Sequence, residues 1–162
     1  MGLREKMELH NATKFYGRWK KKHSLLYQSG LNISLDKGFI ASSADRLVKD
    51  YSRAICLLEI KRASQSESWE LSDMSELLHK QSCLTVNKSN IIGIMLKKTH
   101  QYYSQVQCQL YTYNLDECGF VMCTKHAMHV ETITKDDEFI QNMLQKTDLY
   151  DNLLLPEVVY PR

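Results

Sequence analysis

Glu59 and Lys61, in the run Leu57-Leu58-Glu59-Ile60-Lys61, put a carboxylate and an ammonium one residue apart. In a strand, alternate side chains share a face, so Glu59 and Lys61 point one way while Leu58 and Ile60 point the other. That is an odd use of a strand this apolar. Asp45, in Ser43-Ala44-Asp45-Arg46-Leu47, adds a second carboxylate from the preceding strand. Two hard oxygen ligands suit Mg²⁺, which keeps several waters and binds through few carboxylates. A lysine beside such an ion can orient a water or offset charge on an attacked phosphate. Taken alone, a strand Glu-x-Lys is most often a solvated face; Asp45 is the first residue that raises it above that.

The elements that must position these groups follow from periodicity. Residues 3–28 carry Glu8, Ala12 and Phe15 on one helical face, which predicts a first helix. Strands are expected at 30–36 and 38–48, joined by a tight turn at Asp36-Lys37-Gly38. The most apolar segment, 54–61, is expected to be a central strand. Residues 62–96 read as a surface excursion, polar over 62–90, with a short helix near 71–80 and a strand at 91–96. Tyr103, Val106, Leu110 and Tyr113 recur at helical spacing and predict a helix over 100–115. Strands at 119–124 and 127–133 and a helix near 136–147 complete the chain. Alternation of this kind suits one α/β domain built on a mixed sheet flanked by helices.

Composition bounds the function. The 162 residues suffice for one domain with a sizeable core. A formal net charge of +2 neither demands nor excludes nucleic acid. No apolar run reaches membrane-spanning length, and Met1-Gly2-Leu3-Arg4-Glu5-Lys6 does not open a signal peptide. Five cysteines at irregular spacing suit reduced thiols, so an intracellular protein, nuclear or cytoplasmic, is expected. The Asn-x-Ser/Thr triplets at Asn11, Asn32 and Asn87 are then idle.

Asp45, the Glu59-Ile60-Lys61 triplet and the block His100-Gln101-Tyr102-Tyr103-Ser104-Gln105-Val106-Gln107-Cys108-Gln109-Leu110 together resemble the YqaJ-type viral recombinase exonucleases. These are relatives of phage lambda exonuclease within the PD-(D/E)xK nuclease superfamily. The resemblance covers roughly residues 2–125 and implies a restriction-endonuclease-like fold. It implies a Mg²⁺-dependent DNA exonuclease, with Mn²⁺ as substitute, in which Asp45, Glu59, the Ile60 carbonyl and Glu8 hold the ion. Lys61 would hold the attacking water, Gln105 would reach the site from its helix, and Ser43 would contact a terminal phosphate. Arg46, Lys97 and Lys98 are candidate DNA contacts. A homo-oligomer, specifically a trimer, rests on the resemblance alone.

The chain departs from the family pattern at Ala44 and Arg46, where Pro and Gly are usual, and at Arg62-Ala63, where Cys-Pro is usual. The family's N-terminal segment has no counterpart, so the chain reads as starting late. These departures keep a second hypothesis open: a catalytically inactive module that holds DNA or a protein in the same groove. Other features have plainer readings. Lys20-Lys21-Lys22-His23 reads as a solvated helix end, and Tyr102 and Tyr103 as core residues. Cys123, His126 and His129 sit three apart, a spacing that sends strand side chains to opposite faces and argues against zinc.

Overall fold

A computed structural model describes residues 24–50, 53–62, 78, 83–86, 93–123, 128–149 and 152. Five strands form the main sheet: β1 (Ser24–Gln28), β4 (Arg46–Asp50), β5 (Arg53–Arg62), β8 (Glu117–Cys123) and β9 (Met128–Thr134), in the spatial order β1-β4-β5-β8-β9. Four short strands make two ladders: β2 (Asn32–Ile33) with β3 (Ala41–Ser42), and β6 (Leu84–Val86) with β7 (Ile94–Leu96). The described helices are α1 (Gln101–Tyr113) and α2 (Asp137–Leu149).

The apolar β5 lies at the centre, as its composition predicts. It pairs antiparallel with β4 and parallel with β8, so the sheet is mixed. Parallel neighbours need a crossover, and α1 lies within the connection from β5 to β8. One sheet face, with Leu57, Cys118, Phe120, Met122 and Ile133, packs on Tyr103, Val106 and Leu110 of α1. The other gathers Val48, Cys56, Leu58 and Val121, with Leu26, Ile60, Met128 and Val130 against them. Ile140 and Leu144 of α2 pack with Ile40 and against Cys108 and Tyr111 of α1.

The ends of α1 are closed by side chains of the right type. His100 caps the start, its Nδ1 accepting the Tyr102 N–H at 3.2 Å. Asn114 ends the helix at φ 50°, a left-handed conformation that Asn tolerates better than most residues. Among the described residues no helix is long and apolar enough to cross a membrane. None of the five cysteines is in a disulfide.

Three expectations are corrected. The first helix does not run to 28: Ser24–Gln28 is strand β1, in register from Ser24 opposite Asp50 to Gln28 opposite Arg46. Its burial has a period of two, with Leu25 and Tyr27 exposed and Leu26 packed on the sheet's second core. Residues 3–23 lie outside the described residues, and with them Glu8 and the Lys20–His23 run. The strand expected over 38–48 is two strands, β3 and β4, broken at residues 43–45 where the chain passes from the small ladder to the main sheet. Finally, the far end of the 62–96 excursion is not surface. Cys83, Leu84 and Leu96 are buried in the α1-side core. The helix near 71–80 falls outside the described residues apart from Leu78.

Candidate active site

Glu59 faces α1 from the centre of the sheet and is only 3% exposed. A carboxylate buried this deeply requires partners on both oxygens. Oε1 accepts from Lys61 Nζ at 2.7 Å and from Gln105 Nε2 at 2.7 Å. Oε2 accepts from Gln109 Nε2 at 2.8 Å. The arrangement follows from two periodicities. Glu59 and Lys61 share a strand face, while Tyr102, Gln105 and Gln109 fall at i, i+3 and i+7 along one stripe of α1. The adjacent stripe, Tyr103, Val106 and Leu110, supplies the core contacts that fix the helix over the sheet. Lys61 Nζ also lies 4.8 Å from the Tyr102 ring centroid, so the ammonium is held between a carboxylate and an aromatic face.

Asp45 reaches the same place from the break between β3 and β4. The β4–β5 ladder ends with Arg46 opposite Leu58, so Ile60 on β5 extends past its last β4 partner. Asp45 Oδ2 takes the Ile60 N–H at 2.7 Å in place of a ladder bond. The N–H and C=O of one strand residue point to the same edge, so the Ile60 carbonyl also faces the Asp45 side. Two carboxylates and a backbone carbonyl thus border the Glu59–Ile60 peptide, an all-oxygen donor set of the kind Mg²⁺ or Mn²⁺ takes. A side-chain carboxylate accepts at about four lone-pair positions, so three donors on Glu59 leave room for a further partner. On the neighbouring strand, burial pushes the Cys118 thiol well above its ordinary range, and the Glu59 and Asp45 carboxylates add to the shift.

Asp45, Glu59, Lys61 and Gln105 therefore come together, with the Ile60 backbone between the carboxylates. Arg46 folds back on the same loop, its guanidinium donating to the Asp45 carbonyl at 2.6 Å. Ser43 is exposed, and its carbonyl accepts from Gln109 Nε2 at 2.8 Å. Lys98 is directed elsewhere: its ammonium pairs with Asp136 at 2.7 Å and lies 5.6 Å from the Tyr103 ring. Lys97 is half-buried, its backbone N–H bonded to the Cys83 carbonyl at 2.8 Å.

Two residues of the site went unrecognised as such in the sequence. Gln109 touches Glu59 directly, and its signal was its position four residues after Gln105. Tyr102 is half-buried and packs against the α1-side core as expected, and its ring also faces the Lys61 ammonium. Cys123 pairs with Met128 and His129 with Met122, so Cys123 and His129 occupy opposite faces, and His126 lies outside the described residues. Among the described residues no three His, Cys, Asp or Glu side chains converge as a metal-holding group.

No protein-family model matches the sequence, and no curated protein matches it. The fold does have solved counterparts. The chain is similar to the crystal structure of an alkaline exonuclease (LHK-Exo) from Laribacter hongkongensis, with a TM-score of 0.64 and 18% sequence identity over 96% of this chain and 69% of that one. The structure of LHK-Exo in complex with dAMP matches with the same score and identity, over 68% of its chain. At this identity the likeness is one of fold: an α/β architecture around a mixed sheet, shared along nearly the whole length of the chain.

Proposed function

We propose that this chain is a Mg²⁺-dependent deoxyribonuclease, an exonuclease of the viral-recombinase type, with Mn²⁺ able to substitute. One observation carries the proposal: Lys61 and Gln105 share one oxygen of the buried Glu59, while Asp45 grips the next peptide along the same strand. Asp45, Glu59 and the Ile60 carbonyl would hold the ion, which when bound supplies Lewis-acid charge at the scissile phosphate. The attacking water forms a new P–O bond as the ester P–O bond breaks, the water's proton passing to solvent and the leaving oxygen taking one up. Lys61 offers a fixed positive charge to that water or to the phosphate. Glu59 and the Tyr102 ring hold the direction of its ammonium. Gln105 holds Glu59 in one rotamer from the helix side. The likeness in fold to a protein described as an alkaline exonuclease, whose structure is also known in complex with dAMP, supports a DNA substrate.

The test is cleavage of end-labelled single- and double-stranded DNA with Mg²⁺, with Mn²⁺ and with chelator. Label should be released only with added metal, and Glu59→Gln should abolish release while leaving the circular dichroism spectrum unchanged. Absence of cleavage on every DNA end with both metals would overturn the proposal. DNA retained but never cut would assign the groove to binding alone.

A further inference from the structure

We propose that Gln109 is a positioning residue that sets the spacing of the two carboxylates; this rests on the metal-dependent reading above. Three observations carry it. Gln109 is fully buried on α1, where a long amide is unusual without a structural task. Its Nε2 donates both to Glu59 Oε2 at 2.8 Å and to the Ser43 carbonyl at 2.8 Å. Ser43 opens the short segment that carries Asp45, so one amide ties the strand bearing the first carboxylate to the loop bearing the second. The remaining atom, Oε1, is buried and finds no hydrogen-bond donor among the described residues.

A purely structural glutamine would use both ends of its amide. Among the described residues Gln109 finds no donor for its acceptor end and commits the donor end to the site. Gln105 cannot replace it, because Gln105 binds the other oxygen, Oε1 of Glu59, which Lys61 shares. With Gln109 absent, Glu59 keeps its charge and one amide partner but loses the contact that fixes Oε2 and the Asp45 loop relative to each other. The predicted consequence is weaker ion binding, not loss of either ligand. Groups that orient a ligating side chain typically contribute about 10–100-fold in metal affinity.

The experiment titrates the full chain with Mn²⁺ by calorimetry and, in parallel, measures DNA cleavage against metal concentration. Gln109→Leu should weaken Mn²⁺ binding about tenfold or more. Cleavage should recover partly at high metal, and Gln109→Asn, one methylene short, should not restore affinity. Gln109→Met, which keeps the length of the side chain and removes its donor, covers the case in which the leucine variant does not fold and should weaken Mn²⁺ binding to a similar degree. Unchanged Mn²⁺ affinity in Gln109→Leu and Gln109→Met, or full affinity restored by Gln109→Asn, would overturn this inference and leave the nuclease reading standing. Wild-type protein that neither binds Mn²⁺ nor cuts DNA would overturn both.

Discussion

The carboxylate of Asp45 accepts the amide N–H of Ile60 at 2.7 Å, so the second acidic group of the site stands in for a missing rung of the β4–β5 ladder. Asp45 therefore has two separable tasks, one in the backbone and one in chemistry. Asp45→Asn keeps an oxygen for the Ile60 N–H and removes the charge. It should lose metal-dependent cleavage with little change in urea midpoint. Asp45→Ala should lose cleavage and also about 1–3 kcal/mol of stability, because the half-buried N–H is left without its acceptor. An Asp45→Asn protein cutting DNA at the wild-type rate would refute the assignment.

Lys61 should govern rate more than ion binding. Losing a fixed positive charge aimed at developing negative charge costs on the order of 10²–10³ in rate. Lys61→Ala should bind Mn²⁺ at least as tightly as wild type, since a competing cation on Glu59 Oε1 has gone. Lys61→Arg should not restore the rate, because a planar fork does not replace a compact ammonium. Single-turnover cleavage at saturating metal decides it. A variant that loses affinity but keeps its rate would reverse the division of labour.

Asp136 should make stability depend on acid. The Lys98 ammonium, the Phe139 N–H and the Tyr103 hydroxyl hold its carboxyl below the ordinary value of 3.8. A carboxyl depressed in the fold stabilises it above the unfolded value, and that contribution is lost as pH falls through the lower folded value. Asp136→Asn preserves the cap on Phe139 but not the charge, so it should cost about 0.5–1 kcal/mol at pH 7. The gap to wild type should begin to narrow as pH falls below about 4 and go on narrowing towards the lower folded value. Urea titrations at pH 7 and pH 3 that show equal gaps would refute the assignment.

The thiols should be slow to alkylate in the native state. Cys56, Cys83, Cys118 and Cys123 are buried, and burial raises the half-buried Cys108 thiol as well. Only the thiolate attacks, so a raised thiol combined with burial suppresses reaction. Iodoacetamide at pH 7.5 followed by peptide mass mapping should modify Cys108 first and Cys118 only on unfolding. Rapid native labelling of Cys118 would contradict its burial in the α1-side core.

Elements with their own periodic signal were legible in the sequence. The apolar run around Leu57 is the central strand, and the Tyr103, Val106, Leu110 spacing is the helix that covers it. Strand β1 was not legible. Leu25-Leu26-Tyr27 continues a helical pattern, and its conversion to strand depends on pairing with Arg46–Asp50, a contact far along the chain. The break at residues 43–45 was hidden for a similar reason, since only the sheet's geometry requires the chain to change ladders there. In the site, the charged strand pair announced itself because charge on an apolar strand is conspicuous. Gln109 did not, because glutamine is common on helices and its value lies in what its burial brings it against.

The parallel pairing of β5 with β8 has a consequence in time as well as in space. Glu59 and Lys61 are made early, while Gln105 and Gln109 arrive 46 and 50 residues after Glu59 on the crossover that ends at β8. Contacts over such separations form late, after the cost of closing the intervening chain has been met. A ribosome-bound chain that has released β5 but not yet α1 carries its acidic strand without either amide partner. The protein thus acquires its polar cluster only when the central sheet closes.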